Sequence, residues 1–558
     1  MLGRVNKLDV GGGFHLMWTE ADAGGQPRIW TWHPETRREI TEARRFYDAA
    51  RGVGPDAPPG RRIRRGSAVE RTPEEREYLA AILNRPDDDR PYLEYADWLE
   101  EHGDPYGAFL RVSTATEGPK PPPDGDPLWR THQALLDAHA ERWIKPLCDL
   151  GFQPEVMGHR FPQYWYNSRG TIQEFTIDRP GILPENAVRF FSAVPLLRRL
   201  NLQDRDIDFG AVTHLPAMAQ VEELTSWNVT APQMLAACRS PYLGKLRKLD
   251  VGMEVCGEAL GEAGGRALGA AAWLPQVEWL KLTYSQLGEQ GVRELALSPG
   301  VARLKFLDLS NADDYGVGLV AVATSKHLAG LESLNWNHNF VHPETLSFLR
   351  DAPFRGKLRE LDLGFCGPQG LGRDGTERLA AVDFPRLERL DFGINRLNNG
   401  GMAALAAAAW LAGLKHLDLF ASGTGDAELA ELARCHLPKL KTLKLSQNEF
   451  ADAGVTALCR GPAWPCLKSL DLSRLHGSDD RPSPPGPDAA HAFAATTRFP
   501  NLEELDAQGW AIGPAGAEAL ARSPGLTKLK RLHVTGDLVG PAGKKALTHR
   551  FGDSVVTF

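Results

Sequence analysis

Cysteine is scarce, with 7 among 558 residues and no two in a CxxC pair. An odd number without paired spacing argues against a disulfide framework or a zinc site and fits a reducing compartment. No charge of one sign prevails: 64 Lys+Arg stand against 71 Asp+Glu, a net charge of −7, and the first 112 residues hold 17 basic and 20 acidic groups. Binding driven by attraction to phosphate is therefore not expected, and no nucleic-acid partner is assigned. Long apolar runs are missing too. The longest uncharged one, Gly401 to Leu414, is too short to cross a bilayer, and the opening MLGRVNKLDVGGG lacks the apolar stretch of a secretory signal. The expectation is a cytoplasmic, monomeric chain with no membrane association.

The usual signatures of chemistry are absent as well. There is no HExxH and no GxSxG, and Gly11–Gly13 lacks the rest of a dinucleotide fingerprint. GPAGKK (540–545) does not meet the spacing of a phosphate loop and reads as a repeat glycine followed by surface lysines. Asp87-Asp88-Asp89 reads as turn and helix-cap chemistry rather than a cation site, and Arg61, Arg62, Arg64 and Arg65 read as a solvated linker. No catalytic residue, metal or cofactor is expected.

What is present is repetition. Apolar residues at positions 1, 4 and 6 recur in LRKLDV (246–251), VEWLKL (277–282), LKFLDL (304–309), LESLNW (331–336) and LRELDL (358–363). They continue in LERLDF (387–392), LKHLDL (414–419), LKTLKL (440–445), LKSLDL (467–472), LEELDA (502–507) and LKRLHV (529–534), with weaker copies from Ile172, Leu197 and Val221. These fourteen units start 24 to 35 residues apart. The longest step contains the proline-rich RPSPPGP (481–487), and the 31-residue step contains GEALGEAGG (257–265).

The pattern predicts a short strand with positions 1, 4 and 6 inward, positions 3 and 5 outward, and parallel pairing between neighbours. Position 9 should hold a small polar residue that satisfies the turning backbone: Asn339, Asn395 and Asn448 do so, with Cys366 as a substitute and Ser285 and Ser422 as weaker ones. Trp510, Leu475 and Asp537 depart from it. After the strand an apolar residue, Gly and Leu follow at four-residue steps, as in LGEQGVREL (287–295), FADAGVTAL (450–458) and VGPAGKKAL (539–547), which places all three on one helix face. The glycine allows close approach of a neighbouring helix.

These units resemble leucine-rich repeats of the ribonuclease-inhibitor type over about residues 171–550. The resemblance implies an α/β fold: a leucine-rich-repeat solenoid, or horseshoe, with a parallel concave β-sheet and convex helices, preceded by a small helical domain. The tail FGDSVVTF (551–558) is apolar enough to cap the last unit.

In the amino-terminal third, Thr72 and Glu75 have capping-box spacing with Pro73 at the first helical position, so a helix should run to about Leu83. A second should start after Asp87–Asp89, carry Tyr95, Trp98 and Leu99 on one face, and end at Gly103. Arg85-Pro86-Asp87-Asp88-Asp89, Tyr95 to Glu101, Gly103-Asp104-Pro105 and Gly107 resemble a short companion domain found beside repeat arrays, mainly in planctomycete bacteria, which brings no established activity. The expected order is an αβ segment (1–55), a linker (56–71), the companion helices (72–112), a second linker (113–127), a cap (128–170) with a helix over Leu128–Leu150, the repeats (171–550) and the terminal cap. Within 1–55, strands are expected around Phe14–Thr19 and Arg28–Trp32, and a helix from about Glu35 to Ala50.

The expected function is protein recognition by the concave face. Position 5 reads Asp250, Lys281, Asp308, Asn335, Asp362, Asp391, Asp418, Lys444, Asp471, Asp506 and His533, a file whose acids would repel unless cations interleave. Position 3 supplies some, at Lys248, Arg389, His416 and Arg531, and a partner with a basic surface could supply the rest. Trp279 and Phe306 sit at position 3 of adjacent repeats, with Tyr284, Phe365 and Phe420 just past their strands; they either form an interface centre or pack on one another. Two other classes remain: an enzyme, such as a repeat-bearing ubiquitin ligase, with catalysis in the first 170 residues, which would need a nucleophilic cysteine although Cys148, the only cysteine outside the repeats, has no recognisable acid–base partner motif, and a structural scaffold.

Overall fold

The computed structural model describes residues 66–118, 121–123, 125–152, 155–156, 159–160, 168–178, 181–203, 206–227, 229–252, 259–312, 316–367, 370–474 and 483–558, together with three earlier strands. Those strands, Val5–Gly11, Phe14–Thr19 and Ile29–Trp32, form an antiparallel sheet in chain order. The helix expected over 35–50, the arginines at 61–65, Leu475 and the first two residues of the 481–487 loop lie outside the described residues. The chain divides into two compact units, Met1–Leu197 and Arg198–Phe558.

In the first unit, the helix Pro73–Asn84 begins where the capping residues place it: the Thr72 hydroxyl accepts the Glu75 N–H at 3.1 Å. Asp88 caps the next helix, Asp89–Glu101, by accepting the Arg90 N–H at 3.1 Å, and Asp89 pairs with Arg169 at 2.7 Å. The aspartate triplet is thus engaged in capping and an ion pair. A third helix, Tyr106–Glu117, runs five residues into the stretch read as a linker from 113, because Ser113, Thr114 and Thr116 are buried rather than solvated. The fourth, Pro127–Asp149, matches the helix expected over 128–150.

The unit boundary falls one repeat later than the expected start of the array at 171. Residues 169–197 are tied to the companion helices by chemistry specific to this chain. Gln173 donates to the Tyr92 hydroxyl at 2.6 Å, Tyr106 donates to the Gly170 carbonyl at 2.9 Å, and Leu196 joins the core of Leu79, Ile82, Tyr95 and Leu110.

Each of the fourteen units recognised in the sequence contains a strand, which begins two residues after the unit's start, from Glu174–Ile177 to Arg531–Val534. In the second unit the strands lie in chain order in one unclosed parallel sheet. Register is kept throughout: Leu280 stands opposite Leu249 and Leu307, and the same position aligns in each following pair. The tail adds a last parallel strand, Val556–Thr557, with Leu532 opposite Val556.

Positions 1, 4 and 6 are buried in each of these repeats, as at Leu358, Leu361 and Leu363, and helices such as Gly288–Ala296 and Asp452–Arg460 cover that side of the sheet. Burial of a leucine in such a layer stabilises by roughly 2 kcal/mol.

The polar residues at position 9 close the turns. Asn448 donates to the carbonyls of Leu419 at 2.7 Å and Leu445 at 2.8 Å and accepts the Thr424 N–H at 2.9 Å. Asn339 and Asn395 are fully buried and bridge neighbouring repeats in the same way, and Cys366 donates its thiol to the Leu363 carbonyl at 2.9 Å. Trp510, a departure from the pattern, donates its indole N–H to the Leu472 carbonyl at 3.0 Å, so a larger donor does the same work.

Candidate functional site: the open face of the sheet

The side of the sheet not covered by helices carries positions 3 and 5. Because register is kept, position 5 forms one continuous file from Asp250 to His533.

Its acids have a local task that the pattern alone did not disclose. Each accepts the backbone N–H two residues on: Gly252 to Asp250 at 3.2 Å, Ser310 to Asp308 at 2.8 Å, Gly364 to Asp362 at 2.9 Å, Gly393 to Asp391 at 3.1 Å and Phe420 to Asp418 at 3.0 Å. Ser473 and Gln508 repeat the contact with Asp471 and Asp506, and Asn335 serves identically through its side-chain carbonyl, to Asn337 at 2.9 Å. An oxygen at this point holds the chain as it leaves the strand, which is one physical reason why aspartate recurs there.

The repulsion expected along the file is relieved unevenly. Lys281 pairs with Asp250 at 3.5 Å and Lys444 with Asp418 at 2.9 Å; Asn335 donates to Asp308 at 3.0 Å, and Asn337 to Asp362 at 3.0 Å. The position-3 cations face elsewhere: Lys248 pairs with Glu223 at 3.7 Å, Arg389 with Glu360 at 3.8 Å, and Arg531 with Glu504, each across its own row. Asp362, Asp391 and Asp418 therefore stand side by side, and Asp391 has no ion-pair partner among the described residues. Burial, then the neighbouring charges of Asp362 and Asp418, push its carboxyl up to about 7; burial also raises Asp362, while the hydrogen bond to Asp418 raises Lys444.

The aromatic residues divide into two groups. Trp279 and Phe306 stack on each other, with centroids 4.4 Å apart and planes 6° from parallel, and the Lys248 ammonium lies 4.6 Å from the Trp279 ring. Their mutual packing is real, and each remains half-buried on the open face. Phe365 and Phe420 are each 39% exposed. Phe365 and Tyr284 occupy position 8 with φ of 52° and 58°, a left-handed conformation shared by Asn311, His338, Ile394, Ala421 and Gln447. Among the described residues glycine takes this conformation at position 8 in the repeat from Leu502, at Gly509 with φ of 80°.

Asp308 differs from the other candidates. It is 4% exposed and holds the Ser310 hydroxyl at 2.6 Å besides Asn335, so it supports the face from beneath. Reading the sequence missed His338, Asn337 and Ile394, which line a trough with Phe365, Phe420, Asp391 and Asp418. Position 8 carries no residue-type signal, because Tyr, His, Phe, Ile, Ala and Gln all occur there.

A Leucine Rich repeat family model matches residues 436–459, which span the strand Thr442–Lys444 and most of the helix Asp452–Arg460. With that unit repeated in register along one unclosed sheet, the chain carries leucine-rich repeats in an α/β fold. Two solved structures are similar at low identity. An internalin (InlF) from Listeria monocytogenes shares 16% identity, with 61% of this chain and 81% of that one covered and a TM-score of 0.33. The Rad7 and Elc1 complex in yeast shares 14%, with 85% and 97% covered and a TM-score of 0.40. Among the described residues no helix is long and apolar enough to cross a membrane.

Proposed function

We propose that this protein is a non-enzymatic binding module whose sheet face, the concave side of a repeat array of the ribonuclease-inhibitor type, docks a protein partner. One observation carries the reading. Successive strands of the second unit present positions 3 and 5 as an in-register surface, the described helices of that unit cover the opposite side, and exposed Phe365 and Phe420 stand among charged side chains. An apolar anchor surrounded by polar groups is the arrangement in which a few contacts supply most of an interface's energy.

In this reading the first unit is a companion domain of the kind found beside such arrays, and the protein works in the cytoplasm as a monomer, without nucleic acid or membrane. Burial raises the thiols of Cys238, Cys366, Cys435 and Cys459, which makes them poor nucleophiles and lends no support to a cysteine-based enzyme within the repeats.

The test is affinity capture from cells that make the protein, comparing wild type with Trp279→Ala/Phe306→Ala. Loss of a captured protein, with the thermal transition preserved, supports the reading. Equal recovery of every captured protein removes the stacked pair from the interface.

A further inference from the structure

The trough at the middle of the open face has a defined chemistry. Phe365 and Phe420, both exposed, stand in its lining with Ile394 and His338; Asp391, Asp418 and Asp471 supply carboxylates, and Lys444 is committed to Asp418. Asp391 also lines the adjoining hollow formed by Asp362, Arg389 and His416, so the two depressions meet at this carboxylate. Among the described residues its one hydrogen bond is from the Gly393 N–H, at 3.1 Å.

The occupant must satisfy three conditions. It must carry positive charge, because the acids outnumber the single lysine. It must offer an apolar stem to two phenyl rings. It must be flat enough to lie against a ring while donating to a carboxylate. Guanidinium meets all three, since it is planar, stacks on aromatic faces and donates in a fork, whereas ammonium is a strongly hydrated point charge.

Resting on the open face as the docking surface, we infer that this trough receives an arginine side chain of the bound segment, with its guanidinium on Asp391 and its stem against Phe365 and Phe420.

The groups around Asp391 make this recognition depend on pH. Asp362 and Glu360 face it from the preceding strand, Asp418 and His416 from the following one, Lys444 from the next, Arg389 from its own, and His338 from the turn. Arg389 is engaged with Glu360 and Lys444 with Asp418, and burial lowers His338 and His416 so that both are neutral near pH 7. With its carboxyl at about 7, Asp391 is half protonated at neutrality. A guanidinium binds the ionised form, so binding expels a proton and tightens as pH rises through 7, then levels off.

The experiment is isothermal titration of the full chain with hexa-arginine, hexa-lysine and the neutral isostere hexa-citrulline at about 0.15 M salt, where loose surface attraction is screened. Hexa-arginine should bind about tenfold more tightly at about pH 8 than at about pH 6, and release about half a proton at pH 7. Hexa-lysine should bind more weakly, and hexa-citrulline should not bind. Asp391→Asn should bind hexa-arginine more weakly at the higher pH and lose the pH dependence. Asparagine keeps the turn contact, as Asn335 does in its own repeat. Phe365→Ala/Phe420→Ala should weaken binding at both pH values and keep the pH dependence.

Absence of hexa-arginine binding, equal binding of hexa-lysine or hexa-citrulline, or an unchanged pH dependence in Asp391→Asn would overturn the inference. Lysate capture separates the two readings: if it still depends on Trp279 and Phe306, docking on the open face stands and only the arginine trough fails.

Discussion

At the scale of the residue, the same side chains hold the fold and shape the surface, with opposite demands. Asp391 secures a turn through one hydrogen bond, yet its burial beside Asp362 and Asp418 makes its charge costly. The sign follows from the raised carboxyl. Between about pH 4 and pH 7 the folded chain keeps a proton that the unfolded chain has released, so this group's contribution to stability falls as pH rises through that window and is constant above it. Asp391→Asn does not titrate and should gain on wild type across the window, by on the order of 2 kcal/mol at pH 8 after discounting for partial exposure. Urea midpoints of both proteins at several pH values measure this; parallel curves would refute it.

The residues at this scale were unequally legible. Asn339, Asn395 and Asn448 could be read because a buried turn must be satisfied and few side chains do it. The charge state of Asp391 could not, because it depends on which neighbours happen to lack a cation.

At the scale of the element, strand and helix follow from two periodicities that coexist in each repeat. The strands were legible from alternation at positions 1, 4 and 6, and the helices from four-residue steps. The glycine of the helical signature was read as a point of close approach, and the contacts give it substance. A Cβ added at Gly543 would sit 2.8 Å from the Ala517 Cβ of the preceding helix, and one at Gly265, next to the signature position Gly264, would sit 2.6 Å from the carbonyl oxygen of Gly291 in the next helix. Gly265→Ala gains helix propensity of roughly 1 kcal/mol but must move backbone, which costs about 1–3 kcal/mol. Because the obstructing atom is main chain, the loss should win, with a net destabilisation of about 1 kcal/mol by denaturant unfolding; a stabilised variant would show that the helices can part freely.

Helix ends were less legible. The hydroxyls of Ser240, Ser325 and Ser523 donate to the carbonyls of Thr213, Ala296 and Ala494, each near the end of the preceding repeat's helix. In the repeat before Leu502 the Thr496 hydroxyl does the same, donating to Cys459 at 2.7 Å, and the buried Arg498 adds to it, donating to Ala433 at 2.8 Å and to Leu458 while its guanidinium lies 3.8 Å from the Trp464 ring; burial lowers it to about 10. These hydroxyls each stand six residues before the next unit's start, a spacing the apolar pattern does not cover, whereas the part played by Arg498 has no such counterpart and shows only in coordinates.

At the scale of the whole molecule, constant register turns a one-dimensional repeat into a two-dimensional surface: a residue at position 5 is adjacent to its counterpart 27 or so residues away, as Asp308 is to Asn335. Fold class and the composition of that surface were therefore open to reading from sequence. The division at Leu197/Arg198 was not, because it rests on contacts such as Gln173 to Tyr92 that no repeat pattern encodes.

In the proposed function the open face, and not the helical side, meets the partner. Four side chains of similar exposure allow a matched comparison: Phe365 and Phe420 at 39% on the open face, Leu235 at 44% and Phe348 at 45% in helical segments. Capture from the native lysate with Phe365→Ala/Phe420→Ala and with Leu235→Ala/Phe348→Ala is the most direct measurement. The first pair should lose a partner, by about tenfold or more in recovery, and the second should retain it. Retention by the first and loss by the second would contradict the proposal.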